Sequence, residues 1–181
     1  MIEKVLKLDA KWSYALRVKE LDGLLGKTFA FFAHSGDSWF WLAGMGLIWL
    51  FAKGEWHNYS GFLGICIFVL ALLVMGIKFT VKRTRPPGEW GEVYRATDPH
   101  SFPSGHAARA VLLAVLALAL GPSWFGIVVV IWAPLVTLAR VVMGLHYISD
   151  VLVGAVLGWV SGLIFVALYP WMLAYIPIVF R

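Results

Sequence analysis

Lys78-Phe79-Thr80-Val81-Lys82-Arg83-Thr84-Arg85-Pro86, Ser101-Phe102-Pro103-Ser104-Gly105-His106 and Ala139-Arg140-Val141-Val142-Met143-Gly144-Leu145-His146-Tyr147-Ile148-Ser149-Asp150 are three polar islands in a mostly apolar chain. Apolar runs border them: Gly61 to Phe79 before the first, Ala107 to Leu120 after the second, and Trp124 to Met143 and Val151 to Tyr169 on either side of the third. A membrane-spanning helix needs about 20 apolar residues, so these runs predict a bundle of such helices. Lys, Arg, His and Asp are costly at the ends of membrane helices and mark function there.

Composition agrees. Hydrophobic residues make up 61% of the 181 and charged residues 14%, against about 25% charged in a soluble domain. The length suits one domain, and lipid must solvate much of its apolar surplus. The ten Trp fit an interfacial belt. The single Cys66 lies in an apolar run and has no partner for an internal disulfide; it reads as a small buried residue. Residues 1–20 mix charged and apolar positions without the apolar core of a signal peptide. The net charge of +5 does not call for nucleic acid, because the islands explain the cations better.

Residues 1–36 are expected to be N-terminal and interfacial. Lys4, Lys7, Lys11, Arg17, Lys19 and Lys27 alternate with Val5, Leu8, Trp12, Leu21 and Leu24, as in amphipathic helices lying on a membrane surface. A solvated arm is the alternative. Asp37 or Ser38 is a candidate N-cap. Trp39 to Phe51 is short for a span. Residues 82–102 form a polar loop. Pro134 predicts a kink within its span, and Gly154, Gly158 and Gly162 recur one turn apart, a spacing that admits a closely packed neighbour. Pro170 is expected to end the last helix, leaving residues 170–181 as a tail. The expected fold is therefore an all-α polytopic membrane bundle: a single domain with a transmembrane core over 37–169 and five spans, or six if residues 24–36 also cross.

Topology brings the islands together. The span ending at Phe79 delivers the first island to one face, and the loop keeps the second there. The chain then crosses, turns at Gly121-Pro122-Ser123 and returns at Arg140, so the third island lies on the same face.

Lys78 and Arg85 are two helical turns apart, on one side of a continuing helix, and suit a dianion. Arg binds phosphate bidentately and Lys as a point charge; snorkelling to headgroups is the alternative for the cations of this island. Pro103, Ser104 and Gly105 open a helix whose free N–H groups, hydroxyl and dipole favour an anion. His106 follows as a proton donor to a leaving oxygen. His146 and Asp150, four residues apart, place a carboxylate against an imidazole and leave the other ring nitrogen free to attack. Arg140 can return to the same anion. His106, His146 and Asp150 could also ligate a metal, but the surrounding cations disfavour a divalent ion.

These three islands resemble the signature of the type 2 phosphatidic acid phosphatase family, which vanadium haloperoxidases and glucose-6-phosphatase share. Lys78-x6-Arg85-Pro86, Pro103-Ser104-Gly105-His106 and Arg140-x5-His146-x3-Asp150 match it in order, spacing and residue type. Ala139 departs from it, since the family usually has Ser there, and one phosphate hydrogen bond is expected to be missing. The resemblance implies that His146 attacks phosphorus to form a phosphohistidine and that Asp150 orients it. His106 would protonate the leaving group and then activate water, while Lys78, Arg85, Ser104, Gly105 and Arg140 would hold the phosphoryl oxygens. It implies no cofactor and no metal. Arg109, three residues after His106, is a candidate contact for a second phosphate or a headgroup.

The expectation is a lipid phosphatase of the plasma (bacterial inner) membrane, with its site toward the periplasm or outside. Candidate substrates are undecaprenyl pyrophosphate, phosphatidylglycerophosphate, phosphatidic acid and lipid A phosphate; membrane lipids are its partners, and nucleic acid is not. A phosphotransferase on the same site is the alternative. A non-catalytic lipid-binding protein would not need the complete His–Asp–His set. Orientation carries a conflict: with five spans, all but Lys53 and Arg181 of the fifteen Lys and Arg lie on the site's face, which the positive-inside rule would put in the cytoplasm.

Overall fold

The computed structural model describes residues 2–18, 23–88, 98–176 and 180. Among them are seven helices: α1 (Ile2–Ala15), α2 (Leu24–Ser35), α3 (Ser38–Phe51), α4 (Glu55–Val81), α5 (Gly105–Leu120), α6 (Ser123–Val142) and α7 (Ile148–Tyr175). No strand occurs in this set beyond an isolated antiparallel bridge between Thr84 and His100, which ties the first island to the approach to the second. Lys19, Leu21, Pro177, Arg181 and residues 89–97 of the polar loop lie outside the described residues.

Helices α4, α6 and α7 are long and apolar enough to cross a membrane, and α3 and α5 are shorter apolar helices. The bundle's interior is a leucine-rich seam in which Phe62, Leu63, Ile67 and Leu70 of α4 meet Leu112, Leu113 and Leu116 of α5, with Cys66 buried among them. Its outside is equally apolar: Leu72 is 58% exposed, Ile131 61% and Leu152 60%. Water would not tolerate such an exterior over three helices, and lipid would. The chain is an integral membrane helix bundle.

Helices α2 and α3 together run the length of the bundle, α2 packed on α6 and α3 on α4. Leu24 and Leu25 sit beside Val142, Ala33 packs on Ala139 and Met143, and Ser35 accepts from the Trp132 indole at 2.9 Å. Ile48 and Ala52 share a crevice with Trp124 and Phe125. The two helices form one traverse of the bundle, broken at Gly36-Asp37, with Ala33 of α2 buried against α6. Exposed carbonyls at such a break need partners. The Trp41 indole donates to the Ser35 carbonyl at 2.9 Å, and Arg109 Nε to the Gly36 carbonyl at 2.8 Å.

Helix α7 lies against α5 through its glycines. A Cβ on Gly154 would lie 2.5 Å from the Ser104 carbonyl oxygen, one on Gly158 would run into the Ala108 carbonyl, and one on Gly162 would lie 2.8 Å from Val115 Cβ. Only glycine lets the two backbones come this close. Pro170 does not end the helix, which continues through it to Tyr175. The lost N–H bond is one that membrane helices tolerate. Pro134 likewise lies inside α6, where the Thr137 hydroxyl donates to its carbonyl at 2.8 Å.

Candidate active site

Each island ends at one pole of the bundle for a local reason. Helix α4 stops at Lys82, in the left-handed conformation, which turns the chain so that Arg83 and Arg85 point back across the pole. Ser104 caps α5 by accepting the Ala107 N–H at 3.4 Å. Past α6, the amides of Leu145 and His146 both donate to the Arg140 carbonyl at 3.0 Å, and this turn fixes His146 over the pole. The second and third islands are also joined directly, because the Ser104 N–H donates to the Asp150 carbonyl at 3.0 Å. That amide, expected to serve an anion, is engaged within the protein.

The structure brings together every residue expected at the site. Lys78, Arg85, Arg140, His146 and Asp150 are all buried, Arg140 and Asp150 fully. His146 Nδ1 faces Asp150 Oδ2 at 3.6 Å, just beyond hydrogen-bond range. Its Nε2 is 3.2 Å from Arg85 NH1, which also donates to the Leu145 carbonyl at 3.0 Å. Burial holds the His146 imidazole well below its ordinary range, and the nearby Arg140, Arg85 and Lys78 cations add to this. A ring kept neutral is a ring able to attack.

Lys78 Nζ donates to the Asp98 carboxylate and to the His100 carbonyl, the latter at 2.9 Å. Arg85 binds Asp98 twice, NH2 to the carboxylate and Nε to the carbonyl, both at 2.7 Å. A carboxylate thus sits on the two cations assigned to phosphate. Arg140 NH1 donates to the Ala33 carbonyl at 3.1 Å. Ala139, which departs from the Ser usual in the resembled signature, packs with Ala33, Met143 and Leu145 against α2. Arg109 braces the broken traverse, bonding the Gly36 carbonyl and the Ser38 hydroxyl. It also lines a cleft of about 120 Å³ together with Lys78, Asp98, Gly105 and His106; the cleft's other wall is Leu70, Ala71, Val74 and Met75 of α4.

Three partners were not legible in the sequence. Asp37 does not cap α3 with its side chain; its Oδ1 lies 2.6 Å from His106 Nε2. The absence of a side chain on Gly36 allows this, since a Cβ there would lie 3.1 Å from the His106 ring. Arg83, one of the cations of the first island for which headgroup contact is the alternative reading, donates through NH1 to Asp150 Oδ1 at 2.6 Å and to Ser149 Oγ at 2.7 Å. Asp98 is the third. Nothing in local spacing distinguishes these residues from their charged neighbours. Among the described residues, no three His, Cys, Asp or Glu side chains gather as a metal site would require.

The comparisons with known proteins agree with this arrangement. Residues 59–173 match the sequence model of the PAP2 superfamily. An undecaprenyl-diphosphatase of Sulfolobus acidocaldarius is 30% identical over 151 residues, which cover 80% of this chain and 69% of that protein. A lipid A 4'-phosphatase of Bacteroides thetaiotaomicron is 38% identical over 65 residues, 35% of this chain and 29% of that one. Two crystal structures share the fold. The transmembrane PAP2-type phosphatidylglycerolphosphate phosphatase from Bacillus subtilis aligns with a TM-score of 0.75 at 23% identity, covering 93% of this chain and 88% of that one. Aquifex aeolicus LpxE aligns with a TM-score of 0.67 at 22% identity, covering 87% and 93%. With more than half of its length matched by the family model, the chain belongs to the PAP2 superfamily.

Proposed function

We propose that this protein is a membrane lipid phosphate phosphatase that removes a terminal phosphate through a covalent intermediate on His146. The observation that supports it best is the composition of the cleft. Lys78, His106 and Arg109 line it beside the apolar wall from Leu70 to Met75 of a membrane-spanning helix. That combination suits a phosphate carried on a lipid tail.

In the mechanism we infer, His146 Nε2 attacks phosphorus and the bond to the leaving oxygen breaks. The positive charge on the resulting imidazolium is shared with Asp150 through Nδ1–H. His106 gives its proton to the leaving oxygen, then takes one from the water that cleaves the phosphohistidine; Asp37 orients it throughout. Lys78, Arg85, Arg140, Ser104 and Gly105 hold the non-bridging oxygens as charge develops. The phosphoryl group replaces the Asp98 carboxylate on Lys78 and Arg85. No step calls for a metal.

The relative matched over most of this chain acts, by its name, on undecaprenyl diphosphate, so a polyprenyl diphosphate is our first candidate. Phosphatidylglycerophosphate, phosphatidic acid and lipid A phosphate follow. We place the site on the outer face, on the family resemblance. Because α1 docks at the same pole, its lysines share that face and count against the assignment. Thiol labelling tests the placement: Lys4→Cys, on exposed α1, would be labelled from outside if it is right.

The deciding experiment is phosphate release by the purified full-length protein from the four lipids, with EDTA present, beside His146→Ala. Release that the variant loses, together with an acid-labile phosphoenzyme, is the expected result. Transfer of the phosphoryl group to a lipid hydroxyl without release would favour the transferase. No turnover of any kind would refute both.

A further inference from the structure

Helix α1 contributes to the bundle through one narrow face. Asp9 and Ser13, four residues apart, meet the N-terminus of α7, where the first amides have no partner within the helix. Asp9 Oδ1 accepts the Ser149 N–H at 3.1 Å, and Ser13 Oγ accepts the Ile148 N–H at 2.9 Å. Asp9 Oδ2 accepts from the Ser149 hydroxyl and, at 2.8 Å, from Arg83 NH2. The other arm of that guanidinium holds Asp150 at 2.6 Å, and its Cζ lies 4.0 Å from the centroid of the Tyr147 ring. A continuous chain of bonds therefore runs from α1 through Arg83 to the carboxylate that faces His146.

The rest of α1 is built for a different neighbour. Val5, Leu8 and Trp12, at helical spacing i, i+3 and i+7, are 60%, 52% and 63% exposed. Lys4 and Lys11 border this stripe along one side, and Lys7 lies beyond them, paired with Glu3 at 2.8 Å. A helix whose only task was to cap α7 would not expose an apolar stripe. At the end of a membrane bundle, apolar residues edged by lysines match the surface of an anionic bilayer in both shape and charge.

We propose that α1 is a positioning element of the catalytic site and that the anionic lipid surface is its seat. The bilayer holds the Val5–Leu8–Trp12 stripe; Asp9 and Ser13 transmit that placement to the start of α7 and to Arg83, and so aim Asp150 at His146. The 3.6 Å between Asp150 and His146 makes the aim consequential, because a hydrogen bond needs about 3.2 Å or less. The proposal rests on His146 and Asp150 being the catalytic pair.

The test uses the full-length protein in bilayer discs containing phosphatidylglycerol, with dihexanoyl phosphatidic acid as substrate so that delivery by the bilayer does not enter. Asp9→Asn and Ser13→Ala should each lower kcat about tenfold while KM stays within about twofold, the pattern of a misaligned catalytic group. Arg83→Gln should do the same, and the Asp9→Asn/Arg83→Gln double variant should be no slower than Arg83→Gln alone. A variant with Ser at positions 5, 8 and 12 should lose kcat in these discs, and the wild type should fall to the same level in discs of neutral lipid. Wild-type kcat for Asp9→Asn and Ser13→Ala, or losses that multiply with Arg83→Gln, would overturn the positioning role. Wild-type kcat for the serine variant would overturn the lipid seat. Full activity in His146→Ala would instead refute the catalytic assignment beneath both.

Discussion

Asp37→Asn is the most informative single change in the site. The Asp37 carboxylate lies 2.6 Å from His106 Nε2, and the His106 ring presses on Gly36 at the break between α2 and α3. Asparagine keeps the size of the side chain and removes its charge, so the traverse retains its path. What is lost is one charge-assisted hydrogen bond, worth about 1.5–3 kcal/mol. If that bond acts on the transition state, the loss corresponds to about 12- to 140-fold in kcat at about 1.4 kcal/mol per decade. The assay compares leaving groups. An alkyl phosphate needs its departing oxygen protonated and should show the full loss; p-nitrophenyl phosphate leaves as a stable anion and should slow by no more than about threefold, by the same Brønsted reasoning that makes the acid useful at all. Equal losses on the two substrates would refute the assignment of His106, aimed by Asp37, as the general acid.

Other consequences can be measured independently. His146 is held neutral by burial and nearby cations, so below about pH 6.5 the unfolded chain takes up a proton that the folded chain refuses. Stability is then complete above that pH and falls as the medium is acidified; Tm in detergent at pH 7.5 and 5.5 should show a drop that His146→Gln reduces. Gly158→Ala drives a methyl into the Ala108 carbonyl and should cost about 1–3 kcal/mol of stability. Gly76→Ala, with nothing within 4 Å of its new carbon, should be neutral or stabilising by up to about 1 kcal/mol in the same thermal assay. Asp98→Asn weakens the carboxylate's hold on Lys78 and Arg85, and KM for a lipid phosphate should fall while kcat changes little; a raised KM would mean that Asp98 organises the cations rather than competing for them.

The sequence by itself determined the helical membrane bundle, the shared pole of the three islands and the residues placed there. These are properties of short stretches. Apolar length sets a span, a run of spans sets which end each island reaches, and spacing of four places Asp150 one turn from His146. Even Gly154, Gly158 and Gly162 announced a close neighbour, because their spacing alone makes a smooth face. Tertiary structure decided what those stretches could not. The broken traverse at Gly36-Asp37 exists because Trp41 and Arg109 satisfy its exposed carbonyls, and Pro170 continues a helix that its local preference would end. Asp37 meets His106 from 69 residues away, and Asp9 meets Arg83 from 74 away. Such charges look ordinary in the chain, as caps or surface groups, until packing buries them against a partner. Burial is also what gives those pairings their strength, since a charge taken out of water must be matched by another.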